Sequence, residues 1–154
     1  MKLYKIKKSN IDNKGLCAAK NIKKGTKIIY YKGKIITKKE TDRNPKYDND
    51  KAIYLFNLNS RYDLDGDFEY NTARLINHSC NPNCEVHGKG LKLWIFALRD
   101  IKKGEELSYD YGFGYDKDYK QFVCNCGSTN CVGYIVREGS RWRIKRSKSV
   151  SISR

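Results

Sequence analysis

The sequence predicts a mainly β domain with short helices, and three observations carry that reading. Apolar and aromatic residues gather in short runs, at 3–6, 27–31, 53–57, 62–64, 92–98 and 106–111, rich in Ile, Leu, Tyr, Phe and Trp, which is the composition of strands. Clusters of Gly, Asn, Asp or Lys separate the runs, as turns require. The chain has 154 residues, which suits one compact domain with one core.

Between the runs, the connections can be read in order. Asn21-Ile22-Lys23-Lys24-Gly25 and Asp100-Ile101-Lys102-Lys103-Gly104 are near-repeats. Each precedes a strand-like run, so each is expected to be a tight turn in which Gly takes a positive φ; they are not a duplicated domain. Residues 37–51 are polar and contain Pro45, which predicts a short helical insert or a loop. Residues 72–77 suit one helical turn, broken by Asn81-Pro82. From Arg146 onward the chain is basic and Ser-rich, the composition of a disordered tail.

Composition narrows the function classes. No apolar run approaches the roughly 18 residues that a membrane span needs. The N-terminus is basic, but no apolar segment of a secretory signal follows. Six cysteines without such a signal point to a reducing compartment, and to thiolate or metal chemistry over a disulfide scaffold. The net charge of +15 is uneven: residues 1–40 carry +11, residues 137–154 carry +6 and the middle carries −2. Basic ends around an acidic centre suit contact with a polyanion at the ends and a basic peptide at the centre.

Two constellations carry chemistry. Cys124-Asn125-Cys126 and Cys131 form C-x-C-x4-C with Gly127 and Asn130 between them, three thiolates fit for a tetrahedral zinc site that lacks its fourth ligand. Cys17, Cys80 and Cys84 are the candidates for it, and spacing alone does not choose. The second is the pair of runs N-T-A-R-L-I-N-H-S-C-N-P-N-C at 71–84 and E-L-S-Y-D-Y-G at 106–112. Tyr109 and Tyr111 stand two apart on the predicted strand and so face the same side.

Those two runs, with the cysteine segment, resemble the signature motifs of the SET domain, the fold of most protein-lysine methyltransferases, followed by a post-SET zinc segment. The resemblance covers about residues 3–135 and implies small curved sheets with a C-terminal strand threaded, knot-like, past the Asn77-His78 segment. It divides the chain into a SET domain at 3–112, a post-SET zinc segment at 113–135 and a basic C-terminal tail at 136–154. It assigns the fourth zinc ligand to Cys80, giving Cys80, Cys124, Cys126 and Cys131, and leaves Cys17 and Cys84 as free interior thiols. The implied methyl donor is S-adenosyl-L-methionine, held by the main chain of Lys14, Gly15 and Leu16, by Asn77 at its amino group and His78 near its adenine, with Arg74 supporting that segment and Asn125 closing over the adenine. The loop N-K-G-L-C-A at 13–18 departs from the family's pattern at Asn13, where the family has Gly, and at Cys17, where an aromatic is common; Asn tolerates a left-handed backbone. Tyr111 corresponds to the catalytic tyrosine, Tyr54 to an aromatic joining the cofactor and lysine sites, and Tyr109 to a position whose hydroxyl favours mono- or dimethylation. Tyr31-Lys32-Gly33 matches a structural Y-x-G.

The resemblance therefore implies methyl transfer to a lysine of a basic protein, such as a histone, a DNA-packaging protein or a ribosomal protein. Substrate is expected to pair with an exposed strand edge, with Asp48, Asp50, Asp63, Asp65, Asp67 and Glu69 favouring basic sequence around the lysine, unless the turn from Asp63 to Glu69 is simply solvated. The basic termini offer contact with nucleic acid, and Trp142 offers a way for the tail to dock on the core. A catalytically silent SET-like zinc module that binds nucleic acid or a protein is the alternative; it is disfavoured because Tyr54, Asn77, His78 and Tyr111 are all retained. A general zinc-stabilised nucleic-acid-binding protein leaves Asn77-His78 and the tyrosine pair without a role. The expected form is a minimal stand-alone chain of the bacterial or viral kind, acting inside a cell, in the bacterial cytoplasm or a host nucleus.

Overall fold

The computed structural model describes residues 2–48 and 53–144; Asp50 and the tail from Arg146 lie outside them. β1 (Tyr4–Lys8) and β2 (Lys14–Ala18) form an antiparallel hairpin that closes at Lys8↔Lys14. Its turn contains Asn13 at φ +44°, the left-handed backbone that Asn accepts more readily than most residues. The segment 13–18, read from sequence as a loop, is thus mostly strand. Leu16, Cys17 and Ala18 are all buried, and that tertiary packing outweighs the turn signal of Asn13 and Gly15.

β3 (Lys27–Tyr31), β8 (Cys84–Lys89) and β9 (Lys92–Ala97) make an antiparallel sheet in the order β3-β9-β8. β4 (Lys34–Thr37), β5 (Leu55–Asn57) and β6 (Tyr62–Asp65) make another in the order β4-β6-β5. β7 (Asn77–His78) and β10 (Ser108–Tyr109) pair in parallel. β8 escapes a search for apolar runs because it is an edge strand, and of its residues only Cys84 is buried. The insert after β4 is helical, as its polar composition suggests. α1 (Lys38–Arg43) starts at Thr37, whose hydroxyl accepts from the Glu40 N–H at 3.2 Å, and a 3-10 turn, Pro45–Tyr47, follows. A second 3-10 turn spans Thr72–Leu75, within the segment where sequence expects one.

The two near-repeats face each other. Ile22 and Ile101 exchange both backbone hydrogen bonds at 2.8 Å. Asn21 Oδ1 accepts from Lys103 N–H at 2.9 Å and Asp100 Oδ1 from Lys24 N–H at 2.8 Å, so the first residue of each turn caps the other turn. Gly25 and Gly104 take φ +85° and +92°, the conformation their place in the turn predicts.

Leu16, Tyr31, Ile76, Ile95, Ile101 and Leu107 form the fully buried centre of the core. Cys17 and Cys84 are buried free thiols, as expected. Asn71 is also fully buried and satisfied: Oδ1 accepts from Lys32 N–H at 3.0 Å and Nδ2 donates to the Gly66 carbonyl at 2.9 Å, pinning the β3–β4 turn to the loop after β6. Asp63 and Asp65, read as substrate-facing or solvated, are neither. Both lie on β6, buried, where Asp63 pairs with Lys38 and accepts from Thr41 at 2.7 Å, and Asp65 accepts from Lys46 at 2.7 Å and Tyr47 at 2.9 Å. These bonds tie α1 and the 3-10 turn after it to the sheet. No helix among the described residues is long and apolar enough to cross a membrane.

Gly66 lies against the fully buried Tyr31: an added Cβ would stand 2.2 Å from its Cε1 and 2.6 Å from its hydroxyl. Gly66→Ala is expected to lower stability by about 1–3 kcal/mol through overpacking, read as a fall in melting temperature by calorimetry. Gly114→Ala, whose Cβ meets nothing within 4 Å, is the matched control and should stay within about 0.5 kcal/mol.

Candidate active site

A cavity of about 660 Å³ opens between the β1–β2 hairpin, the segment around β7 and the cysteine-bearing lobe at 121–135. Lys14, Tyr54, Arg74, Asn77, His78, Tyr111 and Asn125 all line it. Gly15, Leu16 and Tyr109, the other residues singled out for the site, are buried behind that lining. A second groove of about 510 Å³ runs along the outer side, between α1, Leu55 and the segment 113–122. Phe113 and Phe122 line both spaces and pack edge to face with ring centroids 5.0 Å apart.

Asn77 is held from one side only. Its Nδ2 lies 2.9 Å from Glu106 Oε1, 3.0 Å from the Ser9 hydroxyl, 3.1 Å from the Asp12 carbonyl and 3.2 Å from the Lys14 carbonyl. All four can accept, so this surface takes the nitrogen end of the amide and turns Oδ1 toward the cavity. Glu106 Oε1 also accepts from Ser9 Oγ at 2.6 Å. Gly15 is glycine for the same reason: an added Cβ would stand 2.4 Å from Glu106 Oε1. Its role is therefore close approach, since its φ is ordinary.

His78 uses both ring nitrogens internally. Nδ1 accepts from the Tyr111 N–H at 3.0 Å, which leaves the proton on Nε2, 3.8 Å from Cys80 Sγ. Burial pushes its pKa down to about 4, against the opposing pull of Asp110. The neutral ring lines the cavity and links Tyr111 to Cys80.

Tyr111 donates its hydroxyl to the Ile76 carbonyl at 2.7 Å, so its lone pairs face the remaining space. Its ring lies 4.9 Å from that of Tyr109, which stacks on Phe56 at 6.1 Å. Burial raises both phenols above their ordinary range, and both stay protonated near neutrality. Tyr54 precedes β5, beneath the Arg74 guanidinium at 5.7 Å. Arg74 also donates Nε to the Phe68 carbonyl at 3.0 Å, so it supports the wall.

Four cysteines from two distant segments meet beside this site. Sγ atoms of Cys80, Cys124, Cys126 and Cys131 all lie within 4.8 Å of one another. The hydrogen bond with Cys124 holds the Cys126 thiol well below the ordinary range, and the same interaction pushes Cys124 well above it. Cys131 is held down to about 6, first through Cys124. Four thiols converging this closely form a donor set of the kind a tetrahedral soft-metal site uses.

Comparison with protein-family models matches the SET domain over residues 13–112. The chain belongs to the SET-domain family. Its relatives include histone-lysine N-methyltransferase 2D of Homo sapiens, 39% identical over 132 residues, a match covering 82% of this chain and 2% of that protein. Putative histone-lysine N-methyltransferase 1 of Plasmodium falciparum is 39% identical over 140 residues, covering 86% of this chain and 2% of that protein. Histone-lysine N-methyltransferase trr of Drosophila melanogaster is 39% identical over 132 residues, covering 82% and 5%. This SET-domain chain therefore spans only a small fraction of the length of the curated relatives it matches.

Sequence reasoning passed over Ser9, Asn83, Glu106, Asp110 and Arg141. Glu106 and Asp110 lie inside the quoted E-L-S-Y-D-Y-G run, and the geometry supplies their partners. Ser9 and Arg141 carry no motif. Trp142, considered as the residue that docks the tail, is 78% exposed; its neighbour Arg141 is buried instead. In chelator-treated, reduced protein at pH 7, alkylation is expected at Cys126 and Cys131 first, because they are the two cysteines that are not buried. Cys84, pushed up to about 12 by burial, and the buried Cys17 should be modified last, as read by peptide mass mapping over time.

Proposed function

We propose that this SET-domain chain is a protein-lysine methyltransferase that uses S-adenosyl-L-methionine and a structural zinc ion. One observation carries the reading: Asn77, His78, Tyr54 and Tyr111 surround a single cavity that also borders the groove beyond Phe113. S-adenosyl-L-methionine supplies an electrophilic methyl group on a sulfonium. Lys14, Asn77, Arg74 and Asn125 would hold it, with Gly15 and Leu16 shaping the wall behind. Asn77 Oδ1 suits a cationic amino group, since its nitrogen is already committed. The four cysteines fit Zn2+, with Cys80 reaching the three ligands of the C-terminal lobe. In zinc-loaded protein, all four should resist the alkylation described above.

The acceptor lysine has an ordinary pKa near ~10.4 and must lose its proton before it can attack. Aromatic faces of Tyr54, Tyr111 and Phe113, with Tyr109 packed behind Tyr111, withdraw it from water, which favours the neutral amine, and still tolerate a methylated ammonium. Buried and protonated, the tyrosine hydroxyls orient the amine and do not act as bases. Tyr111, donating to Ile76, offers lone pairs to the amine or to polarised C–H groups. Most of the acceleration is then positioning, and the proton leaves through water.

The substrate we propose is a histone-like basic protein. Its relatives named histone-lysine methyltransferases support this, as do Asp42, Asp48 and Asp116 around the outer groove. Asp42 and Asp116 thus join Asp48, in place of the buried Asp63 and Asp65, as carboxylates that favour basic sequence. Among the described residues β5 has β6 on one side only, and Leu55 lines the groove, so its other edge suits an added peptide strand.

The deciding experiment incubates the protein with labelled S-adenosyl-L-methionine and a panel of histones and cell lysate. Label on a discrete protein, reduced at least about 100-fold in Tyr111→Phe, is the expected result; S-adenosyl-L-methionine binding without label on any protein would count against the enzyme reading. Tyr109 favours mono- and dimethyl products, because its hydroxyl restricts how the amine rotates. Mass spectrometry of the product should show a shift toward trimethyl-lysine in Tyr109→Phe, and an unchanged product would overturn that assignment.

A further inference from the structure

Past the last cysteine, the chain returns to the site. Val136 is fully buried and a 3-10 helix, Glu138–Arg143, follows. Arg141 on that helix is 8% exposed, in a chain whose other basic residues are mostly on the surface. Its guanidinium is spent on three acceptors: Nε donates to the Val136 carbonyl, Nη1 to the Cys80 carbonyl and Nη2 to Asp110 Oδ2, each at 2.9 Å. A buried guanidinium is tolerated only when its donors are met in this way, and the planar fork allows three directions at once.

Each acceptor belongs to a different part of the site. Asp110 stands between Tyr109 and Tyr111, accepts from Gly112 N–H at 2.8 Å and Glu138 N–H at 2.9 Å, and lies 3.9 Å from His78 Nδ1. Cys80 belongs to the cysteine cluster, and its carbonyl also accepts from Asn130 Nδ2 at 2.9 Å. Val136 ends the lobe whose Phe122, Val123, Cys124, Asn125 and Ile135 form one wall of the cavity. Arg137 N–H adds a bond to the Phe113 carbonyl at 2.8 Å. The segment 136–144 is a strap across the seam between that wall and the tyrosine-bearing strand.

We infer that Arg141 is a positioning residue that holds the cysteine lobe against the tyrosine-bearing strand, so that the cavity wall and the metal cluster are retained from outside the cysteine segment. The cofactor half of this rests on the proposed reading of the cavity; the metal half rests on the four cysteines alone. The segment read from sequence as a basic C-terminal tail therefore begins with a working part of the site.

The test uses the full chain loaded with zinc. S-adenosylhomocysteine affinity is measured by calorimetry, zinc release to a chromogenic chelator by absorbance, and melting temperature by scanning calorimetry. Arg141→Met should weaken S-adenosylhomocysteine about tenfold or more and speed zinc release by a similar factor. Arg141→Lys should fall between, since one ammonium cannot serve three divergent acceptors. A residue that merely stabilised the fold would lower the melting temperature and leave affinity and zinc release of the folded protein unchanged; that outcome overturns the inference. If Arg141→Met does not fold, Asp110→Asn, which removes the charge but keeps the shape, should produce the same faster release, and release at the wild-type rate would overturn the inference. Failure of the wild type to bind S-adenosylhomocysteine would sink the cofactor reading while zinc release still tests the strap.

Discussion

The backbone of residues 106–111 is satisfied by two different strands and by side chains, with no single sheet holding it, and much of the site follows from that constraint. Ser108 and Tyr109 pair with β7, and Glu106 bridges Cys17 of β2. Leu107 N–H goes to the Leu16 carbonyl at 2.7 Å, Ser108 N–H to Asn83 Oδ1 at 2.9 Å and Tyr111 N–H to His78 Nδ1 at 3.0 Å, while the Glu106 carbonyl accepts from Asn83 Nδ2 at 2.8 Å. Buried backbone groups must find partners. Here the hairpin β1–β2, the segment 77–84 and the strand itself supply them to one another. Asn77, His78, Tyr109 and Tyr111 are consequently set by one interlocked network, and none depends on a flexible loop alone.

That network explains what the sequence could and could not disclose. Short apolar runs and glycine turns made the β class and most strands legible, because those signals are local. β10 is shorter than the run that predicts it, since side chains of His78 and Asn83 take places that a neighbouring strand would otherwise fill. Asp63 and Asp65 look like solvated acids in sequence; their lysine and tyrosine partners come from an insert about 20 residues away and are visible only after folding. Asn77 and the cysteines were legible through motif, but the carboxylate that orients Asn77 was legible only through geometry, because Ser9 and Glu106 stand 97 residues apart.

Charge follows the same logic. The buried Asp63 and Asp65 anchor the insert, while the half-buried Glu106 orients an amide and the half-buried Asp110 anchors the strap. The acids left facing outward, among them Asp42, Asp48 and Asp116 at the outer groove, can act on a partner. The slight negative charge of the middle of the chain therefore understates how selectively its acids are placed. Summed charge describes solubility and steering, whereas the site depends on which individual carboxylates are already occupied.

The two-residue spacing between His78 and Cys80 joins the cysteine cluster to the tyrosine-bearing strand. His78 faces Tyr111 through one ring nitrogen and Cys80 through the other, and burial keeps it neutral, so one face remains an acceptor and the other a donor. A metal-bound Cys80 thiolate would be a better acceptor for Nε2–H than a thiol, so a metal at the four cysteines and the orientation of this ring would favour each other. Arg141 reaches the same two partners from the opposite side, through the Cys80 carbonyl and through Asp110 beside Tyr111. The cluster and the tyrosine strand are thus bridged twice, once by a motif residue and once by a residue beyond the motif. A cavity wall contributed by the last third of the chain needs both attachments, because that lobe adds only an isolated β-bridge, Val123↔Tyr134, and otherwise little regular structure of its own.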